Sequence, residues 1–203
     1  MSASTRGYFG VGVEHVSKPM NVGSIFRSAH AFGASFVFTV AANYGRAAVN
    51  KSDTSGAALH LPFYAFPKLG AMMLPEDCSL VGVELTDDAH ELPSFRHPSK
   101  AAYILGPERG SLSPEAVSLC DHIVKIPTRF CVNVGIAAAI VMYDRTIQAG
   151  RFAPRPVRPG GPTESVAEHT HGGPKFRGDV SAYEAPPPEL TGYAEDNSET
   201  NGS

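Results

Sequence analysis

Residues 101–105 (AAYIL) form an uninterrupted apolar run that leads directly into Gly106. Residues 35–41 (SFVFTVA) and 80–85 (LVGVEL) are runs of the same kind. Strands without polar alternation are typical of parallel sheets, because helices cover both faces of such a sheet. The three runs therefore predict buried strands of an α/β fold.

Strand and helix patterns alternate on either side of these runs. Further strands are predicted at residues 8–16, 59–66 and 122–126, helices at 21–31, 69–74, 113–120 and 134–148, and a long loop at 43–58. Asn21 is a good N-cap for the first helix, and Ser113 followed by Pro114 is a strong helix start. The expected fold class is α/β, a mainly parallel sheet with helices on both faces. Ligands of such sheets bind at the carboxyl ends of the strands.

The composition is that of a folded domain, with 42% hydrophobic and 18% charged residues in a chain of 203. No apolar run reaches the ~20 residues that span a bilayer, and the first residues contain no apolar segment typical of a secretory signal. Cys78, Cys120 and Cys131 form no C-x-x-C pair, which argues against a disulfide framework or a structural zinc site. We expect a soluble cytoplasmic protein that contacts no membrane.

Charge is distributed unevenly along the chain. Residues 1–150 carry equal numbers of basic and acidic side chains, whereas residues 151–177 carry five basic and two acidic ones, and residues 178–203 carry six acidic and no basic ones. The last two blocks are rich in Pro and Gly and lack apolar periodicity, so they cannot offset the entropy of ordering. We expect a folded domain at 1–150 and a disordered tail at 151–203. Its basic part is either a phosphate contact or a solvated linker.

Three segments combine polar residues with predicted strand ends or helix starts. Residues 21–27 (NVGSIFR) place Arg27 on the helix side that faces away from the core. Residues 105–112 (LGPERGSL) surround Glu108 with two glycines, and residues 126–133 (IPTRFCVN) end at the expected N-cap of the last helix. Each segment also fits an ordinary turn or cap. None is a P-loop or a dinucleotide fingerprint.

Taken together, the segments resemble the three ordered motifs of the SpoU/TrmH branch of the SPOUT RNA methyltransferases. The matching stretches are NVGSIFRSA followed by FGA, then LGPERGSLSPE, then IPT followed by VNVGIAAAIVMYD. The resemblance covers residues 8–149 and includes Ser55–Gly56–Ala57. It implies a C-terminal trefoil knot and a homodimer whose active site lies near the dimer interface, with the helix at 134–148 as an interface element.

The resemblance also implies methyl transfer from S-adenosylmethionine, without a metal, to a ribose 2′-hydroxyl of RNA. Arg27 would orient the target phosphate and stabilise the developing alkoxide. Asn21 and Glu108 would position Arg27, the latter through a bidentate bond to its guanidinium. Asn133 would hold the third segment and the cofactor. By the same resemblance, the cofactor pocket would use Leu85, Gly106, Gly110, Ile126, Cys131 and Val132.

Two departures from the family pattern concern the third segment. The stretch from Ile126 to Asn133 is shorter than in common members, and Cys131 stands where Ser is usual. The chain also resembles the minimal members, which have no separate N-terminal RNA-binding domain. This favours tRNA over rRNA as the substrate, and DNA is not expected.

Two alternatives to this enzyme remain open. One is a non-catalytic RNA-binding or assembly protein on the same fold, which would have little need of Asn21, Arg27, Glu108 and Asn133 together. The other is an unrelated nucleotide-binding enzyme such as a dehydrogenase. The absence of a dinucleotide fingerprint after the first predicted strand counts against that alternative.

Overall fold

The computed structural model describes residues 7–42, 60–150 and 152–163. Its seven strands are β1 (Tyr8–Glu14), β2 (Phe36–Val40), β3 (Phe63–Phe66), β4 (Ser79–Val83), β5 (His90–Glu91), β6 (Lys100–Leu105) and β7 (His122–Lys125). They form one sheet in the order β3-β2-β1-β6-β4-β7-β5. All pairings within this sheet are parallel. The prediction of an α/β fold with a mainly parallel sheet is confirmed.

Three α-helices accompany the sheet in the described part of the chain. They are α1 (Pro19–Ala31), α2 (Pro114–Leu119) and α3 (Val134–Ala149). The helix predicted at 69–74 is only a 3₁₀ turn at Leu69–Ala71, and a second 3₁₀ turn spans Leu92–Ser94. The two-residue strand β5 was not predicted, because so short an element has no period to detect.

Helix α1 begins three residues earlier than the predicted N-cap at Asn21 implied. Pro19 occupies its first turn, and Lys18 is the N-cap without a side-chain hydrogen bond. The prediction that Asn21 caps this helix is therefore wrong: Asn21 lies within the first turn, 7% exposed. Proline at the first helical position starts the helix instead, since its fixed φ suits a helix and its missing N–H has no partner to lose there. The helix ends before Gly33, whose φ is +71°.

Apolar cores lie on both faces of the sheet. Helices α1 and α3 pack together over one face, where β1 contributes Phe9, Val11 and Val13. The short helix α2 packs over the other face. On that face β1 presents Gly12, where an added Cβ would come within 2.5 Å of the Phe38 ring. The missing side chain on β1 is what allows the large rings of β2 to lie flat on the sheet.

Arg145 anchors the C-terminal half of α3 and is only 3% exposed. Its two terminal nitrogens donate to the carbonyl oxygens of Pro98 (2.6 Å) and Ser99 (2.9 Å), and one also donates to the Tyr103 hydroxyl (3.1 Å). The guanidinium carbon lies 4.9 Å from the centre of the Phe9 ring. Arg145 therefore holds the start of β6 against α3.

One side of α3 faces away from the sheet. Ile136 and Tyr143 are each 55% exposed, although both belong to a helix with apolar residues nearly all round it. In the single chain, only the side toward the sheet and α1 is covered.

Several predictions fall outside the described residues. These are the loop at 43–58, the segment Ser55–Gly56–Ala57, and the tail beyond residue 163. No helix within the described ranges is long and apolar enough to cross a membrane.

Candidate active site

A cavity of about 200 Å³ lies at the carboxyl ends of β4, β6 and β7. These strands are neighbours in a parallel sheet, so the chain segments that follow them meet at one edge. All six residues that the sequence suggested for a cofactor line this cavity: Leu85, Gly106, Gly110, Ile126, Cys131 and Val132. The structure thus brings together residues from three separate segments of the chain.

The loop after β6 needs its glycines to form one wall of the cavity. At Gly106, an added Cβ would come within 2.9 Å of the backbone nitrogen of Leu112, because the loop folds back on itself there. Gly110 has a φ of +123°, a conformation that side chains disfavour. At these two glycines the loop therefore presents backbone to the cavity.

Apolar side chains make up most of the remaining cavity wall, among them Val83, Leu105 and Val134. Glu84 and Glu108 also reach this wall. Apolar walls, exposed backbone groups and carboxylates suit a ligand with a flat apolar part and a positive charge. No group of three or more His, Cys, Asp or Glu side chains that could hold a metal occurs within the described ranges.

Glu108 is held by four hydrogen bonds from the chain that leads into α1. Oε2 accepts from the Ser17 backbone N–H (3.2 Å) and hydroxyl (3.1 Å), and Oε1 accepts from the Lys18 N–H and the Asn21 amide (both 2.9 Å). Burial alone would raise the pKa of this carboxyl, but these donors and its own backbone N–H lower it to about 2. Glu108 is thus ionised at neutral pH. The bidentate bond between Glu108 and the guanidinium of Arg27, which the resemblance implies, stays a prediction.

Asn21 and Asn133 connect the first and third segments. The Asn21 amide donates to Glu108, and its oxygen accepts from Asn133 Nδ2 at 3.1 Å. The oxygen of Asn133 accepts from the Gly135 N–H at 2.9 Å, which makes Asn133 the N-cap of α3, as predicted. Three of the four predicted catalytic residues therefore form one network, and two of them, Glu108 and Asn133, also line the cavity.

Arg27 lies apart from the cavity wall. Its neighbours Ile25 and Phe26 are fully buried, whereas Arg27 is exposed, so the predicted outward direction is confirmed. It follows Asn21 by six residues on α1, which corresponds to about 9 Å along the helix axis. Arg27 is therefore placed to meet a ligand that arrives from solvent.

Comparison with known proteins gives this site a context. The model of the SpoU rRNA methylase family matches residues 9–143, which include every residue of the cavity wall. The chain belongs to the SpoU rRNA methylase family.

Relatives of this SpoU-family chain include RNA-modifying enzymes of two kinds. It is 27% identical over 157 residues to the tRNA (guanosine(18)-2′-O)-methyltransferase of Thermus thermophilus, covering 69% of this chain and 76% of the relative. It is 28% identical over 165 residues to the 23S rRNA (uridine(2479)-2′-O)-methyltransferase of Streptomyces viridochromogenes, covering 73% of this chain and 56% of that one.

A solved structure shares the fold at similar identity. The SpoU methyltransferase AviRb from Streptomyces viridochromogenes, in complex with its cofactor AdoMet, has a TM-score of 0.63 and 26% identity. The match covers 70% of this chain and 58% of that chain. The present chain thus spans less than two thirds of AviRb.

Two acidic residues at strand ends, of which Glu84 belongs to the cavity wall, were missed from the sequence. Glu84 lines the cavity and accepts from the N–H groups of Leu85 (2.8 Å) and Leu112 (2.7 Å). Glu14, 1% exposed, accepts from the backbone N–H (2.8 Å) and hydroxyl (2.7 Å) of Ser113. Both acids stand at the carboxyl end of an apolar strand. This position in the sequence could have identified them as candidates.

Proposed function

We propose that this SpoU-family chain transfers a methyl group from S-adenosylmethionine to a ribose 2′-hydroxyl of RNA. The observation that carries the proposal is the convergence of the six suggested cofactor residues on one cavity, bordered by the network of Asn21, Glu108 and Asn133. The similarity to tRNA and rRNA 2′-O-methyltransferases supports the same reaction.

The cavity has the chemistry that S-adenosylmethionine requires. Leu85, Ile126 and Val132 offer an apolar slot for a flat adenine, and the backbone around Gly106 and Gly110 offers hydrogen-bonding groups. The nearby carboxylates favour a cation. When bound, S-adenosylmethionine supplies an activated methyl group on a positively charged sulfur. No metal is needed, because the neutral thioether leaves without assistance.

Arg27 acts on the RNA side of the reaction in this proposal. A ribose hydroxyl is a weak nucleophile, so its developing negative charge must be stabilised as its proton leaves. A guanidinium remains protonated at neutral pH and can do this while it binds the adjacent phosphate. Asn21 and Glu108 keep the start of α1 fixed against the cavity, so that Arg27 is presented from a rigid helix.

We also propose the homodimer and the trefoil knot expected for this family. The exposed apolar side of α3, with Ile136 and Tyr143, lies beside Phe32, which follows α1, and this surface would pack against a second copy. The chain from residue 106 onward, which contains the cavity loops after β6 and β7, would form the knot. Both features would support the cavity, since they restrain the loops that line it.

The proposed substrate is tRNA in preference to rRNA, and the proposed location is the cytoplasm. The relatives that are tRNA methyltransferases include the Thermus enzyme and the tRNA (guanosine(18)-2′-O)-methyltransferase of Escherichia coli, 26% identical over 138 residues. The basic block at 151–177 would add phosphate contacts.

Arg27→Ala tests the catalytic proposal. Loss of alkoxide stabilisation should reduce methyl transfer to bulk tRNA by roughly 10²- to 10³-fold, comparable to the loss of one oxyanion donor. Binding of S-adenosylmethionine, measured by calorimetry, should remain unchanged, because Arg27 does not line the cavity. Arg96→Ala, another exposed arginine outside the cavity, is the control. Equal loss of binding and methylation would instead make Arg27 a structural residue.

A further inference from the structure

Glu84 is an acidic side chain of the cavity to which the proposed reaction assigns no direct contact with the cofactor. It directly follows β4, so it stands at the carboxyl end of a buried strand. Its neighbours in the cavity wall include Leu85, Gly106 and Gly110. It is partly buried, and one carboxylate oxygen lies 3.6 Å from the Cβ position of Gly106.

Glu84 and Glu108 differ in how many further hydrogen bonds they can accept. An ionised carboxylate offers about four acceptor positions. Glu108 receives four donors, from Ser17, Lys18 and Asn21. Glu84 receives one backbone N–H on each oxygen, from Leu85 and Leu112. Each oxygen of Glu84 can therefore accept one more hydrogen bond, and the two backbone donors fix the direction of the carboxylate.

A nucleoside ligand carries a pair of donors that matches this arrangement. The 2′- and 3′-hydroxyls of a ribose are adjacent and can donate one hydrogen bond to each oxygen of a carboxylate. An acidic residue at the end of a parallel strand serves this purpose in dinucleotide-binding sheets. The physical requirement is the same here, since the ribose must be held while the adenine occupies an apolar slot.

We propose that Glu84 binds the ribose hydroxyls of the adenosyl cofactor and thereby selects a ribonucleoside at this cavity. The inference rests on the proposed function, because it takes the cavity to be the S-adenosylmethionine site. It assigns Glu84 a direct contact with the ligand in addition to its support of the loop at Leu112. A ligand with a ribose should therefore bind more tightly than the same ligand with a deoxyribose. This difference in affinity should depend on Glu84.

Calorimetric titration with S-adenosylhomocysteine and its 2′-deoxy and 3′-deoxy analogues tests the inference. The unaltered protein should bind each deoxy analogue roughly tenfold to a hundredfold more weakly, the range expected for one hydrogen bond to a charged group. In Glu84→Gln this preference should shrink, mainly through weaker binding of S-adenosylhomocysteine. Glu76→Gln, an exposed acid before the other end of the same strand, should keep the full preference.

Other outcomes would overturn the inference. Tight binding without a ribose preference in the unaltered protein contradicts it directly. Equal weakening of all three ligands in Glu84→Gln would mean that Glu84 only supports the loop. A much larger effect on S-adenosylmethionine than on S-adenosylhomocysteine would mean that Glu84 acts through the charge on sulfur. Failure of the unaltered protein to bind either cofactor form would refute the proposed function itself.

A second variant covers the case in which Glu84→Gln does not fold. Glu84→Asp keeps the charge but shortens the side chain by one methylene, so the carboxylate no longer reaches both the loop and the ribose. Its preference for ribose over deoxyribose should be reduced while its affinity for the deoxy analogues stays close to that of the unaltered protein. An undiminished preference would overturn the inference.

Discussion

Asn21 shows how one side chain can serve as both donor and acceptor between two loops. Its nitrogen donates to Glu108, and its oxygen accepts from Asn133. Only an amide offers both functions on a planar group of this size, and the site is 7% exposed, so water cannot easily replace a missing partner. The network is therefore sensitive to an isosteric change that removes one function.

Asn21→Asp should destabilise the protein. The change removes the donor to Glu108 and places two carboxylates in contact, so we expect the free energy of unfolding to fall by about 1–3 kcal/mol at neutral pH. Urea denaturation measures this quantity. Ser24→Ala, on the exposed side of the same helix, is the control. An Asp variant as stable as the unaltered protein would show that the network contributes nothing.

Glu108 gives the protein a pH dependence with a defined sign. Its pKa is about 2 in the folded chain against an ordinary value of 4.5, so its contribution to stability is complete above 4.5 and is lost as the pH falls toward 2. The difference in unfolding free energy between the unaltered protein and Glu108→Gln should therefore shrink between pH 6 and pH 3. Denaturation at several pH values, with Glu76→Gln as the control, checks this. A difference in unfolding free energy that does not change with pH would contradict the lowered pKa of Glu108.

Helix α2 illustrates how a short element is stabilised from outside itself. Six residues are too few to form a stable helix in isolation. The Ser113 hydroxyl accepts from the Ala116 N–H at 3.1 Å and donates to Glu14, whose buried carboxylate also accepts from the Ser113 N–H. The cap thus connects α2 to the end of β1.

Ser113→Ala should cost more than the loss of an ordinary cap. The variant removes the cap and one of the hydrogen bonds to the buried Glu14, so the free energy of unfolding should fall by about 1–3 kcal/mol. Ser118→Ala in the same helix, where the serine is exposed, should have little effect. Thermal and urea denaturation compare the two. Similar stabilities for both variants would refute this account of the cap.

The sequence predicted most of the individual strands and helices but not all of their ends. Ser113 and Asn133 were identified as caps, because each bonds to a backbone N–H only two or three residues further along the chain. Asn21 was misassigned, because its partners Glu108 and Asn133 are about 90 and 110 residues away along the chain. Arg145 was missed for the same reason, since the carbonyl groups of Pro98 and Ser99 that it binds lie 47 and 46 residues earlier in the chain.

Strand order in the whole sheet was beyond the reach of the sequence. Apolar runs predict that strands are buried, but they do not say that β6 lies between β1 and β4. That order determines which loops meet, and so it determines the cavity. Local patterns alone left the three segments open to interpretation as ordinary turns or caps. Only the resemblance grouped their residues into one cofactor pocket. Glu84 had no place in that resemblance, and only the folded chain shows it at the cavity.

The exposed apolar side of α3 leads to a prediction about assembly. Ile136→Glu should convert a dimer into a monomer, because it places a charge in the middle of the proposed apolar interface. Leu119→Glu, a similarly exposed apolar position on α2, should leave the dimer intact. Sedimentation velocity at micromolar concentration distinguishes the two forms. A monomeric unaltered protein, or a dimeric Ile136→Glu variant, would contradict the proposed interface.

The most direct test of the central claim is detection of the methylated product. Purified protein would be incubated with isotopically labelled S-adenosylmethionine and bulk tRNA or rRNA, and the digested RNA examined by mass spectrometry. The account predicts labelled 2′-O-methylnucleosides, more in tRNA than in rRNA, and roughly 10²- to 10³-fold less label when Arg27 is replaced by Ala. Absence of label in both RNA pools, or label on a nucleobase instead of a ribose, would contradict it.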